Sequence, residues 1–419
     1  MFSSVKQVSD SPQVSKSSPE PPVAILNACR SGAWEKVGGI PLIARTLYHL
    51  KEFEIKEVVL LLSMDSLPTE LEKWQGNFKL QQIKIKEDIP TTILSIANLQ
   101  QHFLYIDAAH LIDPRLIQKL TTASEAILLH IDPQDREKQA IRAGFFTVED
   151  LHLWAENGDT FMIHHLGSLF PGDIDLFNPE TRGPLIPYFI EIGSRDDARK
   201  ATRILVRSSQ KKVGDLPAEF IDPSFENALT LLFCDTPITP DMITLSGWAV
   251  AIIVAYLFWH GWFLSGALLA FVVEILDGVD GKLARTTLHY SKLGHYEHVT
   301  DYFYENSWYV AIAVGLSVTI PNRLPALLAG LLILSDTADN IFYALASKWY
   351  GKSIDLFSPF DAAFRRIAGR RNIYVFMFII GFLLGYRLQI FAVAAIWAAF
   401  TATIHGVRLI QYGRDRKFK

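Results

Sequence analysis

The chain has 419 residues, half of them hydrophobic, with 40 lysines and arginines against 44 aspartates and glutamates. That length accommodates two or three domains, and a net charge of −4 offers no basic surface for nucleic acid. The two cysteines, Cys29 and Cys234, exclude a disulfide framework and a cysteine-based metal site.

The N-terminal stretch MFSSVKQVSDSPQVSKSSPEPP has no apolar core and does not read as a secretory signal. Its serine, proline and glutamine content makes residues 1–20 an expected disordered tail. From Val23 short apolar runs alternate with helical stretches: VAILN, EVVLLLS, FLYIDAAHL and AILLHID read as strands, and GGIPLIARTLYHLKEF as a turn and an amphipathic helix. The alternation predicts an α/β, Rossmann-like domain with a parallel sheet over residues 21–213. SRDDARKATRILVRSSQKK reads as a polar helix with a basic end. Residues 214–242 then contain PSFENALTLLFCDTPITP, an amphipathic helix suited to a membrane surface.

Residues 243–412 read as an all-α bundle of six spans, near 243–260, 262–282, 298–319, 324–347, 372–386 and 388–411, the fifth being short. A basic tail, 413–419, follows. Loop charge sorts the two sides of the bilayer. Lys282, Arg285 and Lys292 follow the second span, Lys348, Lys352, Arg365, Arg366, Arg370 and Arg371 the fourth, and Arg414, Arg416, Lys417 and Lys419 the sixth; the opposite loops hold Arg323 and Arg387. The positive side is cytoplasmic, so the expectation is a multi-pass protein with both termini on the cytoplasmic side. Trp259, Trp262, Trp308, Trp349 and Tyr350 read as interface anchors.

Between the second and third spans lies EILDGVDGKLARTTLHYSKLGHYEHVTDYFYEN, with six carboxylates from Glu274 to Glu305. Asp277, Asp280 and Ala284 share one helix face, which Gly281 and Ala284 leave without bulk. Glu297, Asp301 and Glu305 form a stripe on the next helix. Four carboxylates aimed at one spot cannot all stay ionised without cations. Hard divalent ions with oxygen ligands, Mg²⁺ or Mn²⁺, are the natural neutralisers, and such a site suits phosphoryl chemistry. The alternatives are an ion-pair lattice with Lys282, Arg285 and Lys292, or a zinc site through His289, His295 and His298, which lack a compact H-x-x-x-H pair. Acids at a membrane edge are functional by default. Asp336, Asp339 and Asn340 in the fourth span, and Glu274 one turn deeper than Asp277, read as lining the same polar cavity.

DGVDGKLAR, eight residues and then Gly294 resembles the CDP-alcohol phosphotransferase motif, D-x-x-D-G-x-x-A-R, eight residues, G-x-x-x-D-x-x-x-D. Asp277, Asp280, Gly281, Ala284, Arg285 and Gly294 match it, and TPITPDMITL resembles the family's approach to its first membrane helix at Pro240, Asp241 and Thr244. The second half departs. Strict spacing lands on His298 and Tyr302, whereas Glu297 and Asp301 keep the i, i+4 relation one residue earlier, and Asp301 with Glu305 is the other available pair. The resemblance covers residues 215–412. It implies transfer of a substituted phosphate from a CDP-alcohol donor to an acceptor alcohol at a lipid bilayer, with release of CMP. It further implies two Mg²⁺ or Mn²⁺ ions on Asp277, Asp280, Glu297 and Asp301, with Asp301 as base. Gly281, Ala284, Arg285, Asp241 and Thr244 would serve the nucleotide, Arg370 and Arg371 an acceptor phosphate, and the protein would be a homodimer. The competing expectation is a non-catalytic membrane protein with a structural divalent site.

EKVGGIPLIARTLYHLKEFEIKEVVLLL and FLYIDAAHLIDPRLIQKL resemble a sugar-phosphate nucleotidyltransferase, whose metal-holding acid would be Asp107, with Arg30 and Lys36 the other candidate residues of such an activity. LNACRSGAWEK has one glycine where that family wraps phosphates with several. The implied arrangement is a cytidylyltransferase-like domain, catalytically lapsed, fused to the phosphotransferase, as in enzymes making di-inositol phosphate.

Overall fold

A computed structural model describes residues 22–63, 71, 77–85, 88–96, 102–131, 140–178, 181–211, 214–290 and 293–417, with the side chains of 294–298 and 416–417 outside the description. The expected disordered tail at 1–20 lies outside the described residues. In chain order the strands are β1 (Val23–Asn27), β2 (Lys36–Val37), β3 (Ile40–Pro41), β4 (Glu57–Leu62), β5 (Lys79–Lys84), β6 (His102–Asp107), β7 (His110–Ile112), β8 (Ile127–Leu129), β9 (Ala143–Thr147), β10 (Gly167–Leu169), β11 (Phe177–Asn178), β12 (Gly183–Pro184) and β13 (Phe189–Glu191). The helices are α1 (Leu42–Glu52), α2 (Ile89–Leu94), α3 (Pro114–Thr121), α4 (Val148–His165), α5 (Arg195–Ser208), α6 (Leu216–Phe220), α7 (Asp222–Phe233), α8 (Pro240–Trp259), α9 (Phe263–Thr287), α10 (Gly294–Ser317), α11 (Leu324–Tyr350), α12 (Pro359–Arg365), α13 (Arg371–Leu383) and α14 (Arg387–Lys417).

Packing divides the chain into two compact units, and the division does not fall at residue 213. The first unit takes residues 1–29, 49–107 and 114–169; the second takes 30–48, 108–113 and 170–419. The expected 21–213 domain is therefore shared between units, because its β2–β3 hairpin and α5 pack within the second.

The first unit is a seven-stranded sheet of order β10-β8-β9-β6-β1-β4-β5. β1 pairs in parallel with both β4 and β6, while β9 runs antiparallel to β6 and β8, so the sheet is mixed rather than parallel throughout. All five residues of β1 are buried, as a strand covered on both faces requires. Thr147 and Asp150 close a capping box at the start of α4, with Asp150 Oδ2 accepting from the Thr147 amide at 2.8 Å. Gly158, at φ +74°, breaks α4, and Asp159 uses the break to accept from the Trp154 indole at 2.6 Å and the Ile141 amide at 3.1 Å.

The second unit is dominated by helices. Three are long and apolar enough to cross a membrane: Pro240–Trp259, Leu324–Tyr350 and Arg387–Asp415, with α13 a shorter apolar helix. All six segments expected to span are helical, but α9 and α10 do not meet that measure. The reason is chemical: the carboxylates that make the site lie on them. Pro240 sits at the first helical position of α8 behind the N-cap Thr239, whose hydroxyl accepts from the Met242 amide.

The bundle core is built on aromatics and small residues. Phe258, Phe263, Trp308, Tyr309, Phe378, Phe382 and Phe391 are buried together with Ala251, Ala267, Ala270, Ala394 and Ala398. A Cβ at Gly266 would lie 2.5 Å from the Phe258 ring, and one at Gly315 would lie 2.3 Å from the Phe258 carbonyl oxygen, so close approach requires glycine at both. Trp308 is not an interface anchor: it is buried and donates its indole N–H to the Ala251 carbonyl at 2.9 Å. Trp259, Trp262 and Trp349 are exposed as expected. Ile252, Val318, Leu327, Leu334 and Ile396 are more than half exposed, an apolar outer surface suited to lipid.

Candidate active site

The D-x-x-D pair is held from two sides. Asp280 is buried in α9, and its Oδ2 accepts from the Thr244 hydroxyl of α8 at 2.6 Å. Its Oδ1 is buried without a hydrogen-bond partner, as is Asp241 Oδ1. Asp277, one turn earlier, accepts from Arg371 of α13 at 2.5 Å. The same guanidinium lies 2.9 Å from Glu305 and 3.7 Å from Asp301, both on α10, and donates to the Tyr304 hydroxyl. A cation on the first residue of a helix opposes the helix dipole; the carboxylates facing Arg371 offset that cost.

The structure therefore joins Asp277, Asp301 and Glu305 around one arginine, with Asp280 beside them. Tyr302, where strict motif spacing falls, turns away and shares a 2.8 Å hydrogen bond with Thr337 of α11. Glu297 and His298 lie where side chains are not described, as does the His295 of the zinc reading. Among the described residues no three His, Cys, Asp or Glu side chains stand close enough to hold a metal ion as they are. The donor set nonetheless fits a hard divalent cation in kind, since it is made of carboxylate oxygens and includes the buried, unpaired Oδ1 of Asp280.

Of the expected ion-pair lattice, Lys282 does not pair with the motif acids. It is buried and bonds Glu226 at 2.9 Å and Asn227 at 2.6 Å, both on α7. Arg285 donates from Nε to the Ser209 carbonyl at 3.1 Å. Its guanidinium lies across Gly281, where a Cβ would be 3.3 Å from Nη1, so Gly281 serves this crossing as well as any ligand. Ala284 is half-buried, and its carbonyl accepts from the His289 amide at 3.1 Å.

Beyond the acids lies a basic wall. Arg370 stacks over the Tyr343 ring at 4.6 Å and its buried Nε has no hydrogen-bond partner. Arg365 faces Asp215 at 3.9 Å, and burial lowers its pKa to about 10, so it stays charged at neutral pH. Burial and the neighbouring Glu226 and Asp215 push Asp222 up to about 7. Glu274 is buried with both oxygens lacking hydrogen-bond partners. Asp339 pairs with His405 of α14, and Asp336 accepts from Asn340 at 3.2 Å. The sequence reading missed three of these partnerships: Arg371 with the acids, Lys282 with Glu226, and Asp339 with His405. Each joins residues dozens of positions apart with no spacing signature.

Residues 237–405 match the model of the CDP-alcohol phosphatidyltransferase family. This segment is a CDP-alcohol phosphatidyltransferase domain. It makes the chain an enzyme, a CDP-alcohol phosphotransferase, and the α8–α10 acids fall inside the matched segment. Two curated relatives, both named bifunctional IPC transferase and DIPP synthase, align with it. The protein of Thermococcus kodakarensis is 27% identical over 187 residues, which is 42% of this chain and 41% of that protein. The protein of Aquifex aeolicus is 21% identical over 401 residues, 86% of this chain and 89% of that protein. Among solved structures, phosphatidylinositol phosphate synthase of Mycobacterium tuberculosis with CDP-DAG bound aligns over 46% of this chain and 94% of its own, at 14% identity and a TM-score of 0.35. The 4-diphosphocytidyl-2C-methyl-D-erythritol synthase of Anaerococcus prevotii aligns over 44% of this chain and 97% of its own, at 14% identity and a TM-score of 0.30.

Proposed function

We propose that the phosphatidyltransferase domain transfers a substituted phosphate from a CDP-alcohol to an acceptor alcohol with release of CMP, dependent on Mg²⁺ or Mn²⁺. The observation that carries this reading is the meeting of Asp277, Asp301 and Glu305 at Arg371 beside Asp280, whose Oδ1 has no hydrogen-bond partner. The acceptor hydroxyl oxygen forms a bond to the phosphorus that bears the alkyl group. The bond from that phosphorus to the bridging oxygen breaks, and CMP leaves with the electron pair. The hydroxyl proton passes to a carboxylate of α10; Asp301 is assigned as base, with Glu305 beside it. Asp277, Asp280 and Asp301, together with Glu297, are the residues that would hold two divalent ions. Such ions, when bound, neutralise the charge of the diphosphate. Thr244 orients Asp280, Asp241 and Arg285 border the donor, and Gly281 and Ala284 leave room for it.

Arg370, with its unpaired Nε, and Arg365 suit a phosphate on the acceptor, while Arg371 is engaged by the acids. That favours a polar phosphorylated alcohol as acceptor, in keeping with the names of the two curated relatives. For the N-terminal half we infer no nucleotidyl transfer: Asp107 is buried against Arg142 at 3.6 Å, and LNACRSGAWEK has one glycine where a phosphate-wrapping loop has several. The domain sits in a bilayer as a homodimer with its acids on the cytoplasmic face.

The test is CMP release by the purified chain in detergent. Substrates are CDP-diacylglycerol or CDP-inositol, a panel of alcohols including inositol phosphate, and Mg²⁺ or Mn²⁺ with a chelator control. Metal-dependent CMP that requires one alcohol is expected, and Asp280→Asn abolishes it in folded protein because a ligand charge is lost at nearly constant shape. Retained turnover in that variant would refute the site; silence from wild type across the panel, with divalent metal still bound, would favour the non-catalytic reading.

A further inference from the structure

The helix that carries the D-x-x-D motif ends against a segment from the first fifty residues. α9 runs to Thr287 and terminates at Leu288 in a left-handed conformation, φ +53°, which leucine rarely adopts without support from its surroundings. The last carbonyls of any helix lack intrahelical donors. Here the buried Arg45 of α1 donates from Nη2 to the Thr286 carbonyl, and from the same nitrogen to Val37 at 2.9 Å. Burial lowers Arg45 to about 10, so it remains a cation at neutral pH, at the helix end where the dipole favours one.

The turn that delivers Arg45 is built for contact with this end. Gly38 and Gly39 have φ of +61° and +81°. A Cβ on Gly38 would stand 2.7 Å from the Thr286 carbonyl oxygen, and one on Gly39 would stand 1.8 Å from the Cys234 carbonyl oxygen at the end of α7. The Gly38 amide donates to the Thr202 hydroxyl of α5 at 3.0 Å, and the carbonyl of Ser209, the C-cap residue of α5, receives Arg285 of the motif. Tyr48 lies with its ring centre 6.4 Å from that of Tyr290, just past the helix end. All of these residues belong to one compact unit.

We propose that the Val37–Arg45 turn is a cap on the catalytic helix and that Arg45 is a positioning residue for the phosphotransferase. Asp280 lies six residues before Thr286 on a continuous helix, so a frayed end shifts the metal-holding carboxylate and loosens Arg285. The Gly38–Gly39 pair is given over to this contact. The inference rests on the transferase reading for its kinetic arm and on packing alone for the other.

The experiment uses the full chain in detergent, as wild type, Arg45→Met, Arg45→Lys and Thr202→Val, with the exposed Arg199→Ala as control. Two quantities are read: kcat and KM for CMP release, and hydrogen exchange at the amides of residues 284–290. Expected for Arg45→Met is kcat about tenfold lower at a donor KM within about threefold of wild type, the signature of a misplaced group rather than lost binding. Exchange at 284–290 rises while that of α11 is unaltered, Arg45→Lys recovers part of both losses, and Thr202→Val shows the same pattern more weakly. Wild-type kcat and exchange in Arg45→Met would overturn the proposal, as would a rise in KM alone. Should Arg45→Met fail to fold, Thr202→Val, which removes one hydroxyl, decides by the same criteria. An inactive wild type would sink the transferase reading, and the exchange arm would still decide whether Arg45 holds the helix end.

Discussion

Arg371 is the residue on which Asp277 of α9 and Asp301 and Glu305 of α10 meet. Asp301 and Glu305 stand one turn apart and both face it, whereas Tyr302 faces α11. Loss of a positioned acid or base costs about 10²–10⁴-fold in rate. Asp301→Asn and Glu305→Gln are thus each expected to reduce CMP release by about a hundredfold or more. Tyr302→Phe, which loses one hydrogen bond outside the cluster, is expected to stay within about threefold of wild type. A Tyr302→Phe variant as impaired as Asp301→Asn would show that strict motif spacing, and not the pairing at Arg371, marks the working residues. Thr244 and Arg370 belong to this scale too: one locks a single oxygen of Asp280, the other stacks on Tyr343 with its Nε unpaired.

At the scale of elements, α9 is gripped along its length. α8 touches it through Thr244, α13 through Arg371, the Val37–Arg45 turn at its end, and α7 across its middle. The α7 contact depends on Gly278, between the two motif aspartates. A Cβ there would lie 1.9 Å from Glu226 Oε1, and Glu226 is itself paired to buried Lys282. Gly278→Ala forces α7 away and is expected to cost about 1–3 kcal/mol, as overpacking does. Lys282→Met strands a buried carboxylate and is expected to cost about 3–5 kcal/mol. Thermal melting in detergent checks both. Melting temperatures equal to wild type would mean that α7 is not packed on α9.

At the scale of the whole molecule, the membrane unit is not the C-terminal half alone. Residues 30–48, 108–113 and 170–211 pack with the helices, and β7 pairs with β13 inside that unit. A chain cut to residues 214–419 keeps the matched helices but loses Arg45, Thr202 and Ser209. It is expected to elute as an aggregate and to release no CMP. A monodisperse, active 214–419 fragment would show that the bundle is self-sufficient. The apolar outer surface and the buried aromatic core argue that the bundle folds in lipid, where small residues such as Gly266 and Gly315 set how closely helices approach.

The sequence by itself determined the α/β character of the first half, the helical character of the second, and which acids stand out as a candidate site. Strand and helix periods are local, D-x-x-D-G-x-x-A-R falls on one helix, and acids at a membrane edge stand out against their apolar neighbours. It singled out Thr244 only by resemblance, as serving the nucleotide; the 2.6 Å bond from its hydroxyl to Asp280 comes from the fold. What only the tertiary structure decided was which partner each charge takes. Arg371 is 94 positions from Asp277, Lys282 is 56 positions from Glu226, and Arg45 is 241 positions from Thr286. Pairings at such distances leave no period to read, because what selects them is burial: a charge removed from water needs an opposite charge or a hydrogen bond, and only the folded chain decides which one is within reach.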